Sequence, residues 1–163
     1  MILRDVTEQD GAGVLAIWNH VIRDTAITFN SQEKTPQDLR AFTAEKASAG
    51  HAFLVAAEGS DILGFANYGQ FRGGLGYART MEHSIALTQS ARGRGLGRRL
   101  MTALEDHARD RGVHSMFAGV SAENPAGRAF HAAMGYVEIA VLPQVGFKFG
   151  RWMDLHLMQK ILT

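Results

Sequence analysis

The sequence contains no cysteine. Disulfides, thiolate metal centres and cysteine nucleophiles are therefore excluded, and any thiol in its chemistry must arrive on a ligand. No apolar run approaches the roughly 18 residues that a membrane-spanning helix needs, so no membrane role is expected. The N-terminal MILRDVTEQD lacks the apolar stretch and cleavage site of a signal peptide, and a cytoplasmic location is expected. Neither sign of charge dominates. Lys plus Arg number 17 and Asp plus Glu 16, a formal net charge of +1, so nothing draws the whole chain to nucleic acid. Histidines are scattered, with no H-E-x-x-H or similar ligand spacing, and no metal is expected. With three prolines and no linker, repeat or low-complexity tract, the 163 residues read as one domain, 1–163, able to bury its own core.

Hydrophobic periodicity orders that domain. Ile2-Leu3-Arg4 reads as a short strand, and Thr7–Asp10 has capping-box form ahead of Val14, Ile17, Trp18, Val21 and Ile22 at helical spacing. Thr35-Pro36 starts a second helix, which Leu39, Phe42 and Lys46 continue and Gly50 stops. Ala52–Ala57 and Ile62–Tyr68 read as strands joined by Glu58-Gly-Ser-Asp61, and the loop FRGGLG follows. A strand from Glu82 to Thr88 leads to a helix carrying Leu96, Leu100, Leu104 and Ala108. Ser115–Val120 is a strand, Asn124-Pro125 opens a helix ended by Gly135, and strands Tyr136–Leu142 and Trp152–Ile161 finish the chain. On the last strand Met153, Leu155 and Leu157 share one face. The order β-α-α-β-β-β-α-β-α-β-β predicts a mixed α/β domain with antiparallel strands first and crossovers later.

Flexibility and positive charge coincide in SARGRGLGRRLM, residues 90–101, between a strand and a helix. Amides at a helix N-terminus favour an anion, and glycines let a phosphate approach the backbone. The register excludes two common phosphate loops. No Gly-x4-Gly-Lys-Ser/Thr is present, and G-x-G-x-x-G from Gly93 would need glycine where Arg98 stands. A solvated basic turn remains the alternative from this stretch alone.

Two spaced motifs carry a family resemblance. Arg92-x-x-Gly95-x-Gly97, followed by Asn124-x5-Phe130-His131-x3-Gly135-Tyr136, resembles the pyrophosphate loop and second motif of the GNAT family of N-acetyltransferases. TMEHSIAL before the loop and QVGFKFGRWMDLHLMQ after the second helix are similar to its phosphinothricin and methionine sulfone/sulfoximine acetyltransferase branch. The resemblance spans essentially the whole chain. It implies the GNAT fold, a central, mixed, strongly twisted sheet flanked by helices, with acetyl-CoA as cosubstrate and a homodimer. Ile85, Ala86 and Leu87 would offer backbone groups to the pantetheine arm. Gly93, Arg94, Gly95, Leu96, Gly97 and Arg98 would hold the pyrophosphate, and Asn124 would contact the same ligand.

The chemistry implied is acetyl transfer to the amine of a small amino-acid-like molecule. An amine is mostly protonated at neutral pH, so a base is needed. Glu82 stands at the branch's glutamate position and is the candidate base. A backbone amide near Leu87 is the candidate donor to the oxyanion. His131 stands where many members of the family have a tyrosine, and it is the candidate acid for the leaving thiolate or a relay to Glu82. Arg72, Gly73 and Gly74 match the branch's substrate loop, with Arg72 expected to pair with a carboxylate, and Glu82, His83 and Ser84 are expected to line the same pocket. Gly73-Gly74 replaces the branch's usual proline and aromatic. A peptide N-acetyltransferase on the same fold is the alternative, since an open groove could run past residues 73–76. A nucleic-acid module using the loop arginines lacks interleaved aromatics and is disfavoured.

Overall fold

The computed structural model describes residues 1–163. Seven strands and four helices form in the expected order. The strands are β1 (Ile2–Asp5), β2 (Phe53–Glu58), β3 (Asp61–Gln70), β4 (Thr80–Leu87), β5 (Ser115–Ser121), β6 (Val137–Lys148) and β7 (Arg151–Ile161). The helices are α1 (Gly11–Asp24), α2 (Pro36–Ala49), α3 (Leu96–Asp110) and α4 (Pro125–Ala133). One mixed sheet holds all the strands in the order β1-β2-β3-β4-β5-β7-β6. Only β4 and β5 run parallel, as the α3 crossover between them requires. No helix is long and apolar enough to cross a membrane.

Each face of the sheet buries its own helices. Val14, Ile17 and Leu39 from α1 and α2 pack on Phe53, Val55 and Phe65. On the other face, Leu100, Met101, Leu104 and Ala108 of α3 pack on Leu54, Ala66, Tyr68 and Met116. Local chemistry sets the ends. Asp38 donates its N–H to Thr35 Oγ1 at 3.1 Å and accepts from Thr35 N at 2.8 Å, a closed capping box. Asp10 accepts from the Thr7 N–H and from both terminal nitrogens of Arg4, at 2.7 to 2.8 Å. The Arg4 guanidinium holds its carboxyl down to about 2, overriding the opposing effect of burial.

Three elements depart from the sequence reading. β4 begins at Thr80 rather than Glu82, so Glu82 is an interior strand residue between Gly69 of β3 and Phe117 of β5. β6 runs on to Lys148, and the segment QVGFKFGRW forms the end of a long hairpin with β7. Two features hide this hairpin. Its turn is Phe149-Gly150, with φ of 54° and 73°, the left-handed pair of a type I′ turn in which asparagine is the usual first residue. A bulge at Pro143–Val145 also breaks the alternation, with the Gln144 N–H donated to Asp154 Oδ1 at 2.8 Å. On β7, Met153 is buried as expected, whereas the other residue buried there is Met158, on the opposite face beneath α3 and α4.

Candidate active site

The site begins where two strands part. β4 and β5 pair only from Thr80–Ser115 to His83–Ala118. Beyond that point both continue, to Leu87 and Ser121, without pairing. The β5-side edge of Ser84–Leu87 is therefore left without a strand partner. A cavity of about 650 Å³ fills the opening.

The walls of this cavity come from both later motifs. Gly95 sits at the N-terminus of α3 with φ of 73°, a left-handed conformation that side chains resist. It turns the chain so that the first amides of α3 face the opening. Gly93, Gly95, Leu96, Gly97 and Arg98 line the cavity, as do Ile85, Ala86, Leu87 and Asn124. Gly97 also lets α3 approach Phe130 of α4, because a Cβ there would stand 3.2 Å from that ring. Asn124 caps α4, its Oδ1 accepting the Gly127 N–H at 3.0 Å. Arg94 is the exception among the expected cavity residues. It does not line the opening, and its guanidinium lies 3.6 Å from Glu58. Arg92 takes a place in the lining instead.

Ile27 and Thr28, just after α1, close another side of the cavity. Lys148 holds this segment from the β6–β7 hairpin, donating to the carbonyls of Thr25 at 2.6 Å and Thr28 at 3.0 Å. Phe29 lies against Gly146, where any side chain would collide with its ring. In the sequence Lys148 stands out only as part of the branch-like segment Gly146–Asp154. A lysine alternating with apolar residues on a strand was the available signal for a buried, partnered cation.

A second, smaller cavity of about 220 Å³ adjoins the first. Glu82 and Ser84 contribute to it from β4, Asn67 and Gln70 from β3, and Lys46 from α2. Trp18 and Ser84 line both cavities and mark their junction. The Glu82 carboxylate reaches across toward β5, with Oε2 3.0 Å from where a Cβ on Gly119 would be. It makes no hydrogen bond, and the surrounding protein raises its pKa above the ordinary carboxylate value. A carboxylate in an open cleft with a raised pKa has the character of a general base. Gly119 was missed in the sequence, although a glycine inside a strand often signals close approach by another group.

Of the three consecutive residues, Glu82 and Ser84 line the smaller cavity, whereas His83 lines only the larger one, which Ser84 also reaches. The pleat sends His83 to the opposite face, where it is 6% exposed. There it meets His131 of α4, with the two Nε2 atoms 2.9 Å apart. His131 donates its Nδ1–H to the Gly127 carbonyl at 2.7 Å. Its Nε2 must therefore accept, and His83 Nε2–H donates. Burial pushes His83 down to about 3, reinforced by its histidine neighbour, and burial also lowers His131. The pair is neutral near pH 7. His131 lines the large cavity, but both its ring nitrogens are engaged within the protein.

Arg72, Gly73 and Gly74 line neither cavity. Arg72 lies over the Tyr77 ring, 5.5 Å from its centroid, and Gly73 and Gly74 are exposed. The loop is anchored nearby, because Phe71 stacks on Phe117, the β5 neighbour of Glu82, at 4.5 Å. Gln70 Nε2 ties it down by donating to the carbonyls of Arg72 and Gly74. The structure thus separates Arg72 from the cavity around Glu82.

A parting between parallel strands, a glycine turn at the following helix and an adjoining cleft with a free carboxylate mark two joined cavities as the candidate site of a transferase. The sequence model of the Acetyltransferase (GNAT) family matches residues 16–136. The chain is 38% identical over 159 residues to the L-amino acid N-acyltransferase MnaT of Escherichia coli (strain K12), covering 98% of this chain and 92% of the relative. It is 36% identical to the L-methionine sulfoximine/L-methionine sulfone acetyltransferase of Salmonella typhimurium, covering 98% and 93%. Two solved structures superpose with TM-scores of 0.95. One is a Salmonella typhimurium acetyltransferase with its cofactor acetyl-CoA, at 36% identity, covering 100% of this chain and 94% of that one. The other is a ribosomal-protein-alanine N-acetyltransferase from Brucella melitensis, at 37% identity, covering 99% of each chain. The chain belongs to the GNAT acetyltransferase family and is an N-acetyltransferase.

Proposed function

We propose that the enzyme transfers acetyl from acetyl-CoA to the α-amine of a small amino acid of the methionine sulfone, methionine sulfoximine or phosphinothricin type. The observation that carries this reading is the meeting of the two cavities at Ser84, with Glu82 in the smaller one. The unpaired edge of Ile85–Leu87 suits the amides of the pantetheine arm, which would extend the sheet as another strand does. Gly93, Gly95, Gly97 and Arg98, with the first amides of α3, suit the pyrophosphate.

Glu82 takes one proton from the substrate ammonium, directly or through water. The freed nitrogen pair attacks the thioester carbon, and a β4 amide near Leu87 receives the charge that moves onto the carbonyl oxygen. That electron pair returns as the C–S bond breaks. The nitrogen gives up its second proton and the sulfur gains one. His131 serves here as a relay member with His83 rather than as a free acid, because no unengaged N–H of its ring faces the cavity.

Purified enzyme with acetyl-CoA is expected to release free thiol when one of the three amino acids is added. With no cysteine in the chain, that signal has no protein background. No release with any of them overturns the substrate assignment. Release with an alanine-ended peptide, but with no free amino acid, favours peptide acetylation, a second reading supported by the name of the Brucella relative. The enzyme is further proposed to act as a homodimer. Val137, Ile139, Val141, Phe147 and Trp152 leave an apolar stretch of the β6–β7 hairpin exposed, which a second copy would cover.

A further inference from the structure

We propose that Lys46 and Asn67 form a subsite for the free α-carboxylate of the acceptor, so that the enzyme selects free amino acids over simple amines and peptides. This rests on the reading of the smaller cavity as the acceptor site. It replaces Arg72, which stands outside that cavity, as the carboxylate partner.

Lys46 occupies a position that an apolar residue would normally fill. It continues the spacing of Leu39 and Phe42 on the sheet-facing side of α2 and is 8% exposed. Its ammonium lies 4.7 Å from the centroid of the Phe42 ring and enters no hydrogen bond or ion pair with the protein. Burial lowers its pKa, outweighing the opposing charge of neighbouring Glu45, with which it forms no ion pair. Gly69 makes room for it, because Nζ stands 2.6 Å from where a Cβ would be. Asn67, two residues back on the same face of β3, is 5% exposed, and its Nδ2 has no acceptor. Buried amide donors are rarely left unpaired, and the residues that carry these two unpaired donors both line the same cavity.

The register places these donors opposite the base. Gly69 pairs with Glu82 and Asn67 with Ser84, and cross-strand partners point to the same face. The ammonium is on the β3 side of the cavity, while the Glu82 carboxylate reaches to the β5 side, over Gly119. No ion pair joins the two. A cation with an amide donor at one side, and an anion at the other, complements the zwitterion of a free α-amino acid. The carboxylate would face Lys46 and Asn67, and the ammonium would face Glu82 beside the junction with the donor cavity. Trp18 and Phe42 supply apolar walls. A peptide N-terminus carries a neutral carbonyl at the corresponding position and would leave Lys46 uncompensated.

The test is calorimetric titration of the coenzyme A complex with L-methionine sulfone, with its amide and with the corresponding decarboxylated amine. All three ligands carry the sulfone and the amine, so a difference between them that depends on Lys46 reports the carboxylate. We expect the intact amino acid to bind at least about 30-fold more tightly than either analogue. Lys46→Gln should remove that preference, weakening the amino acid by a similar factor and leaving the analogues unchanged, and Lys46→Arg should restore much of it. Asn67→Leu should weaken the amino acid by about 5- to 10-fold. Equal binding of the three ligands, no binding, or full affinity in Lys46→Gln overturns the proposal. Acetyl transfer is assayed separately. Carboxylate-dependent binding without transfer leaves the subsite standing and overturns the proposed reaction. Transfer that Lys46→Gln leaves unchanged does the reverse.

Discussion

The two cavities that meet at Ser84 are built from different materials. The larger is largely backbone, with the free edge of β4, a turn of glycines and the first amides of α3. Its polar edge joins backbone amides to the side chains of Arg92, Arg98 and Asn124, and apolar side chains supply the remaining walls. The smaller is built of side chains brought from α1, α2, β3 and β4, and the polar tips of Lys46 and Glu82 and the Asn67 Nδ2 in it have no partner within the protein. The large cavity tolerates side-chain variation but not a change of backbone path. The small one is the reverse, because a single substitution alters what it binds while the fold persists.

That contrast can be broken at several points. The largest effect is expected from Glu82→Gln, which should lower turnover by about 10²- to 10⁴-fold while affinity for acetyl-CoA, read by calorimetry, stays within a few-fold. In the unsubstituted enzyme the active form is the carboxylate, and the protein around it, by displacing water, raises its pKa. The rate should therefore rise with pH through a value above the ordinary carboxylate range, and Glu82→Gln should lose that limb. Equal losses of donor binding and rate would make Glu82 structural.

Gly95→Val tests the backbone side. At φ of 73° a β-branched residue costs about 1–3 kcal/mol, so the melting temperature and acetyl-CoA affinity should fall together. The pair beneath β4 predicts a smaller response. Folded His83 has its pKa depressed to about 3, so its contribution to stability is complete above the unfolded value near 6.5 and is lost as pH falls below it. From pH 6.5 to 5.5 this amounts to about 1 kcal/mol, or roughly 2–4 °C in melting temperature. A flat profile there would show that the pair is already charged. The smallest effect belongs to Arg94→Ala. Its side chain pairs with Glu58 at the surface, and donor affinity should change less than about threefold. Arg98→Ala, from the cavity lining, should exceed it.

The same division explains what the sequence made legible. Backbone cavities depend on local patterns, and glycines at 93, 95 and 97, with Asn124 ahead of Pro125, can be read in order along the chain. Glu82 was found through its branch motif. The smaller cavity joins positions 18, 46, 67 and 82, which only the folded chain brings together. Even so, signals were present. Lys46 falls in an apolar helical register, and Gly69 and Gly119 interrupt strands where other groups approach. His83 lines the larger cavity rather than the Glu82 cavity, because adjacent strand residues point to opposite faces, an alternation that a motif of three consecutive residues does not show. The end of β6 was hidden by a bulge and by an unusual residue in a two-residue turn.

The parting of β4 from β5 has a consequence beyond catalysis. A sheet with an unfilled place is least secured there, so the amides of Ser84–Leu87 on that edge should exchange with solvent faster than those facing β3. A ligand lying along the edge would complete the ladder and slow their exchange. Occupancy by the donor and rigidity at the centre of the sheet would then be one measurable quantity, and the acceptor would enter beside a strand already stiffened for reaction.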